Sequence, residues 1–468
     1  MKKKAEPKSL YLVGIKGMAM TGLALMAKQL GYEVTGSDVA EVFPTDEVLT
    51  TNGIKFFSGF EAAHVKEVKP DLVIASAAFG LQNPELKAAK SARISIIPQS
   101  EMLGKIMANF ESIGVAGVHG KTTTSSMIAF VLSEAGFSPS YAIGINEIPG
   151  LQGNAHIGDG KYFVAEADEY KRSENDFAAK FLDYPLKHIV VTSIELDHPD
   201  VYQSAEDVYQ AFYQLVAKVP RSGTIVACTD YPLVRRLVGR MADRHCLTYG
   251  FEPGAAYQIV GFKEGDSTTF SLKTAESTLG PFVLAMPGAH NVLDAAAAII
   301  LTSTLGVAMS TVEKALKKFR GPARRFEVLG QYNNATIITD FAHHPTAIKY
   351  LLEATRQHYP NRRVVAVFQP HTYSRTGKLL REFAQSLQNC DRLILLNIFA
   401  SAREKSGYVT IKDLYDEAKK LQSSVEYRSS LGEVAKYLQS LIVEGDVVLL
   451  IGAGDVYKVY DLLQEKSA

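Results

Sequence analysis

Tryptophan is absent from this chain, and only three cysteines occur in 468 residues, at positions 228, 246 and 390. Cysteines so scattered form neither a disulfide framework nor the paired spacing of a metal site, which excludes small stapled secreted domains and suits a reducing cytoplasm. Long apolar runs are missing too: no stretch approaches the roughly 20 residues that cross a bilayer, so no membrane association is expected. An excess of either charge is also lacking. Fifty basic residues balance fifty acidic ones, so no global field recruits nucleic acid or anionic lipid, and any polyanion handled here is small. The N-terminal Met1 to Lys8 is basic, but the following run is apolar only to Val13 and then turns glycine-rich, so no signal peptide is expected. What remains is an ordinary globular composition, 47% apolar and 21% charged, at a length suiting roughly three domains of ~150 residues with clefts between them.

The order of elements predicts an α/β fold. Ser9 to Val13, a helical stretch to Leu30 and Tyr32 to Asp38 read as a βαβ opening, and Asp71 to Ser76 continues the alternation to about residue 108. Gly14, Gly17 and Gly22 resemble a dinucleotide fingerprint with altered spacing, and Asp38 follows the second strand where an acid often meets a ribose; glycines that only allow close helix–sheet packing are the other reading. A second segment starts near Asn109, with strand-like runs at 162–166, 188–194 and 223–228. Short alternating runs at 257–262, 268–273 and 282–286 then suggest an antiparallel appendage before an alanine-rich helix from Asn291 to Leu305. After the basic Gly-Pro break at 319–325, strands at 363–368, 392–399 and 446–451 alternate with amphipathic helices as a second parallel unit.

The most specific chemistry lies in Gly117-Val118-His119-Gly120-Lys121-Thr122, after a β-branched run and before an amphipathic segment. Glycines let backbone N–H groups approach an anion, the helix start faces it, Lys121 adds charge and the Thr122 hydroxyl can reach a metal. This is a shortened phosphate loop, with valine at 115 where the usual spacing has glycine, and it predicts a nucleoside triphosphate. Glu166-Ala167-Asp168-Glu169 ends one strand-like run and Glu195 to Asp200 ends the next, which predicts that two neighbouring strand ends converge on one site. Glu166 is the candidate Mg2+ ligand there, against a plain solvated acidic loop, and His198 joins it. His290 and Asn291 stand before the alanine-rich helix, where they could meet a purine or where Asn291 could simply be the N-cap. Asp340 to Thr346 and Gln369 to Arg375 are polar clusters on strand-to-helix loops, with Arg375 suited to a carboxylate or left as surface charge.

Taken in order, Gly117 to Thr124, Glu166 to Glu169, Asp197-His198, His290-Asn291, Arg324-Arg325, Asp340-x-x-His343-x-Pro345 and Gly452 to Asp455 resemble the Mur ligase family, and the likeness covers essentially the whole chain. The resemblance implies three domains: a Rossmann-like UDP-sugar-binding domain at 1–108, a central P-loop ATPase-like mixed sheet at 109–323, and a Rossmann-like amino-acid-binding domain at 324–468. It implies an ATP-dependent ligase of peptidoglycan precursor synthesis, acting in the cytoplasm as a monomer or weak homodimer. Gly14 to Gly17, Glu101 to Leu103, Gln369 to His371 with Arg375-Thr376, and Phe399 to Glu404 resemble the branch that joins L-alanine to UDP-N-acetylmuramate. Glu169-Tyr170 and Phe43-Pro44 resemble instead the branch that joins a recycled tripeptide to the same nucleotide sugar. The Asp-Asn-Pro-Arg signature of later ligases is absent.

By this resemblance Lys121, Glu166 and His198 are catalytic, and Thr122, Glu166 and His198 bind Mg2+. ATP would meet Gly117, His119, Gly120, Lys121, Thr122, Thr123, His290, Asn291, Arg325 and Asp340. The UDP-sugar would meet Gly14, Gly17, Ser37, Asp38 and Ser76, and the amino acid His343, His371 and Arg375. Ser193, Thr339, Phe341 and Thr372 depart from the family's usual residues. A dinucleotide-dependent oxidoreductase, which would use the first glycines and leave Lys121 unexplained, and a P-loop regulator without synthetic activity are the readings from other classes.

Overall fold

The computed structural model describes residues 8–465 apart from Asn146, Asp266, 401–403 and 405. The basic start of the chain and the middle of the Phe399 to Glu404 motif therefore lie outside the described residues. The chain divides into two compact units. One comprises residues up to Glu195 with Glu206–Tyr257 and Ala297–Ala315; the other comprises Leu196–Ala205, Gln258–Ala296 and Leu316 onward.

The first unit holds two sheets. The N-terminal one is wholly parallel, in the order Lys55–Ser58, Glu33–Asp38, Ser9–Val13, Leu72–Ala75, Ser95–Pro98. Its order reverses direction at Ser9–Val13, the switch at which open parallel sheets bind ligands beyond their carboxyl ends. Tyr11, Val13, Val73 and Ala75 cover one face beneath Val65 and Leu86 of two crossover helices. The second sheet runs His245–Gly250, Thr224–Cys228, His188–Val191, Glu111–Ala116, Tyr162–Ala167, Ser140–Ala142, Ala155–His156, parallel except for the last strand. This order corrects one expectation. The strands ending at Ala167 and Val191 are not neighbours, because Glu111–Ala116 lies between them and pairs with both. The phosphate loop that follows it is thus flanked on each side by one of the predicted acidic strand ends.

The two sheets meet through close backbone approach. Helix Met18–Gln29 packs so tightly on the strand Ala155–His156 that a methyl group on Gly22 would stand 3.0 Å from the Ala155 Cβ. The Gln29 side-chain oxygen accepts the Ile157 N–H at 2.8 Å.

In the second unit, Tyr257–Lys263, Thr268–Lys273 and Thr278–Leu284 form the expected antiparallel meander. The last sheet runs Glu327–Tyr332, Ala335–Asp340, Val447–Ile451, Val364–Phe368, Arg392–Leu395, Val425–Tyr427, parallel but for its first strand. Alternate residues serve two cores: Ile338, Val364, Ala366, Leu449 and Ile451 face one, and Ile337, Val365, Val367, Val448 and Leu450 face the other. Helices on both faces therefore cover a sheet with no wet side, as a period of two in near-continuous apolar strands requires.

Candidate functional site

The phosphate loop is held by glycine geometry and by the end of the next strand. Gly120 has φ +78 and precedes helix Lys121–Glu134, and Gly117 has φ +150. A methyl group on Gly117 would lie 1.9 Å from the Thr192 hydroxyl oxygen and 2.9 Å from the Ser193 nitrogen, so no side chain fits there. Thr192 donates its hydroxyl to the His119 carbonyl, Ser193 Oγ accepts the His119 N–H at 2.9 Å, and the Ser193 carbonyl accepts the Val118 N–H at 3.3 Å. Two loop N–H groups are therefore turned toward Ser193 rather than toward a cradle. The first turn of the following helix, at Lys121, Thr122 and Thr123, supplies the N–H groups that a helix cannot satisfy internally. His119 Nε2 lies 2.7 Å from the Glu195 carboxylate.

Carboxylates gather on the other side. Strand register sets Val115 beside Glu166 and Ala116 beside Ala167, which carries Glu166 to the helix start. There its Oε1 accepts the Thr122 hydroxyl at 2.9 Å and its Oε2 the Gly144 N–H at 2.8 Å. Lys121 Nζ donates to both oxygens of buried Glu169, at 3.1 and 2.9 Å, and to the Gly117 carbonyl at 2.5 Å. Burial pulls the Lys121 ammonium down, but Glu169, Asp168 and Glu166 outweigh it and hold the group above its ordinary value, so it stays charged. Asp168 is paired with Lys180 at 3.0 Å.

At the carboxyl end of the first sheet, Gly14 has φ +85, and a methyl group there would strike the Phe79 ring at 2.7 Å and Ser76 at 2.9 Å. Its N–H and that of Ile15 both donate to the Ser37 carbonyl, at 2.8 and 3.1 Å, and Gly17 accepts the N–H groups of Met20 and Thr21. Asp38 accepts the Lys16 N–H at 2.7 Å and the Val39 N–H at 2.8 Å, and burial raises its carboxyl above the usual range despite them. Ser37 donates its hydroxyl to Glu85, a fully buried carboxylate that also accepts the Tyr11 hydroxyl at 2.9 Å and touches His64 Nδ1 at 2.7 Å. Ser37 and Asp38 thus shape the glycine loop. Glu85 escaped the sequence reading because its partners are distant along the chain; the Asn83-Pro84 helix start just before it was the available signal.

In the second unit, His343, His371 and Arg375 are brought together. His343 stands edge-on to His371, ring centres 6.1 Å apart, and His371 stacks on Phe399 at 5.9 Å. Arg375 Nη1 lies 3.3 Å from His371 Nδ1, and its Nε donates to Asp197 at 2.8 Å, both partners being buried. Burial raises the Asp197 carboxyl, but His198 and Arg375 override it and hold the carboxyl well below the usual range. Burial, reinforced by Arg375, drives His343 well below the ordinary imidazole value, so it is neutral. Glu404 accepts the N–H groups of Tyr373 and Ser374 at 2.7 and 3.0 Å, capping the helix that carries Arg375.

Asp340 ends its strand and accepts the N–H groups of Phe326 and Ala342 at 2.8 and 2.7 Å; burial raises its carboxyl and nearby Arg325 opposes that. The Arg325 guanidinium lies over Phe341 at 5.3 Å. His290 stacks on Tyr350 at 6.0 Å. Asn291 is not an N-cap: it lies inside helix Ala289–Thr304 and donates its amide back to the Pro287 carbonyl at 2.6 Å.

Compared with known proteins, residues 9–111 match the model of the Mur ligase family catalytic domain, 115–302 the Mur ligase middle domain, and 324–454 the Mur ligase glutamate ligase domain. A UDP-N-acetylmuramate–L-alanine ligase of Desulfitobacterium hafniense is 39% identical over 97% of this chain and 98% of its own length. The chain belongs to the Mur ligase family. Among solved structures, the UDP-N-acetylmuramate–alanine ligase of Thermotoga maritima is similar at a TM-score of 0.82 with 27% identity, covering 99% of each chain. A murein peptide ligase of Psychrobacter arcticus is similar at 0.74 with 25% identity, covering 98% of each. Membership of this family does not favour the oxidoreductase reading. Among the described residues no helix is long and apolar enough to cross a membrane.

Proposed function

We propose that this Mur ligase joins L-alanine to the carboxylate of UDP-N-acetylmuramate with consumption of ATP, in the cytoplasm, using three domains at 1–108, 109–323 and 324–468. The observation that carries the reading is the phosphate loop itself, with Lys121 charged, half-buried and ringed by Glu166, Asp168 and Glu169. The sugar carboxylate attacks the γ-phosphorus, breaking its bond to the β-phosphate oxygen and releasing ADP, to form an acyl phosphate; the amine then attacks the acyl carbon and expels inorganic phosphate through a tetrahedral intermediate, losing a proton as the amide forms. Phosphoryl transfer of this kind asks a protein for positioning and charge neutralisation rather than covalent help. Lys121 neutralises charge developing on the transferred group, while Gly120, Thr122 and Thr123 hold the phosphates on a loop whose course Gly117 and His119 set. His290, Asn291, Arg325 and Asp340 take the remainder of ATP.

The paired hydroxyl and carboxylate of Thr122 and Glu166 are hard oxygen donors that fit Mg2+, and with His198 they would hold it. Bound there, the ion supplies charge neutralisation to phosphate oxygens. Gly14, Gly17 and Ser76 line the UDP part, with Ser37 and Asp38 fixing that loop. Arg375, with His371 and His343 beside it, takes the amino-acid carboxylate. A neutral His343 suits a site that must admit an amine without repelling it.

The test is phosphate release by the purified chain with ATP, Mg2+ and UDP-N-acetylmuramate, offering L-alanine, glycine, L-serine or alanyl-glutamyl-diaminopimelate in parallel. Release with L-alanine and the matching mass gain on the sugar supports the reading. Release with the tripeptide alone replaces it with a recycling ligase, and release with none refutes a synthetic role.

A further inference from the structure

Two ligands bound at the ends of different sheets must meet within reacting distance, and one buried carboxylate sits where those sheets are joined. Asp183 closes the short turn Lys180–Asp183, with its side chain 7% exposed. Its Oδ2 accepts the Ser100 hydroxyl at 2.6 Å, from helix Gln99–Met107 at the end of the first domain. The same carboxylate holds Arg172 as a fork, Nε to Oδ2 at 2.9 Å and Nη2 to Oδ1, while Arg172 Nη1 reaches Asp176 at 3.1 Å. A two-pronged pair of this kind fixes direction as well as distance. The backbone nearby is fitted as closely: a methyl group on Gly104 would stand 2.3 Å from the Asp183 carbonyl oxygen, and one on Gly80 would stand 1.7 Å from the Glu174 carboxylate. The segment from Tyr170 to Asp183 is therefore clamped against the first domain at two points, one of them the loop that begins at Ser76.

That segment is rooted at Glu169, the partner of Lys121. We propose, on the basis of the function proposed above, that Asp183 is a positioning residue for acyl-phosphate formation. Through Ser100 it holds the domain that carries the nucleotide sugar, and through Arg172 it holds the arm that begins beside the transferred phosphate. No residue assigned to either ligand contacts Asp183, so its loss misplaces the two reactants relative to one another while each still binds. A displacement of about 1 Å is enough to cost ~100-fold in rate.

The test uses the full chain with Asp183→Asn and, as the milder change, Ser100→Ala, which removes one hydroxyl and leaves the Arg172 fork intact. Titration with UDP alone and with ADP alone gives the two affinities, and phosphate release with UDP-N-acetylmuramate, ATP, Mg2+ and L-alanine gives kcat. The expected result is kcat down at least ~10-fold in Asp183→Asn and about 3-fold in Ser100→Ala, with both affinities within about 2-fold of wild type. Unchanged kcat overturns the proposal, and so does weaker nucleotide binding in proportion to the lost rate, which marks a merely structural residue. Should Asp183→Asn not fold, Ser100→Ala decides by the same criteria. An inactive wild type refutes the proposed function and this inference with it, whereas an active wild type with unaffected variants refutes this inference alone.

Discussion

His188 makes the sheet under the phosphate loop sensitive to acid. It opens strand His188–Val191, pairing with Ile113 on one side and Thr224 on the other, and both ring nitrogens are buried without a hydrogen-bond partner. Burial, helped by Lys187, pushes its pKa from 6.5 down to about 4. Between those values the unfolded chain binds a proton that the folded chain refuses, so stability falls as pH falls through the window. The slope approaches ~1.4 kcal/mol per pH unit, and by about pH 4.5 the accumulated loss is roughly 2.5 kcal/mol. In a domain of ~150–250 residues, where each kcal/mol moves Tm by about 2–4 °C, that is a drop on the order of 5–10 °C. His188→Leu removes the proton acceptor together with two unsatisfied polar atoms, and costs nothing at neutral pH. Thermal unfolding followed by far-UV circular dichroism and tyrosine fluorescence, which no tryptophan obscures, is compared at about pH 7.5 and 4.5, below the unfolded imidazole range. Carboxylate protonation is common to both proteins and cancels in the difference. An equal fall of Tm in wild type and variant would refute the argument.

Lys121→Ala should reduce phosphate release by at least ~1,000-fold while UDP affinity stays within about 2-fold, as measured by turnover and UDP titration; comparable turnover would sink the role given to Lys121. Gly117→Ala drives a methyl group to within 1.9 Å of Thr192, so ADP affinity should weaken by ~10-fold or more as the loop is forced off the Thr192–Ser193 strand end. Asp197→Asn leaves the Arg375 guanidinium buried against a neutral acceptor. It should destabilise the protein by about 2–4 kcal/mol and raise the KM for L-alanine more than the KM for UDP-N-acetylmuramate, read from unfolding curves and initial rates.

Local pattern made much of this protein legible. The phosphate loop was readable because glycine, lysine and threonine stand at fixed spacing between a β-branched run and a helix, and the meander at 257–284 because its alternation changes period. Strand adjacency was not readable. The ends of Tyr162–Ala167 and His188–Val191 look like neighbours along the chain, yet Glu111–Ala116 pairs with both, since pairing order is settled by packing between distant segments. The same reason hid the groups that hold the site. Ser193 meets the His119 N–H across 74 residues, Ser37 meets Glu85 across 48, and Ser100 meets Asp183 across 83. The N-cap alternative for Asn291 fails for a local reason: its side chain donates to the Pro287 carbonyl inside the helix start and does not reach the free N–H groups of a cap.

Why the chemistry collects at strand ends follows from burial. Tyr11 to Val13, Ile113, Val115 and Ala116, Ile189 to Val191, and Val364 to Phe368 are all fully buried, so a polar side chain within those runs would lose water on both faces. The first permissible place is the residue after the last apolar one, which is where Gly14, Gly117, Thr192 and Gln369 stand. Position alone does not make a site, however. Strand Thr224–Cys228 is equally buried and is also followed by an acid, but Asp230 spends its carboxylate on the N–H groups of Phe251 and Glu252, at 2.8 and 3.0 Å. That strand is not a neighbour of Glu111–Ala116, since it lies one strand beyond His188–Val191. What separates Lys121 and Glu166 from Asp230 is the order of strands: beside Glu111–Ala116 a glycine turn, a helix start and the Glu166 carboxylate of the neighbouring strand Tyr162–Ala167 come together, and the triphosphate and cation proposed above would need all three.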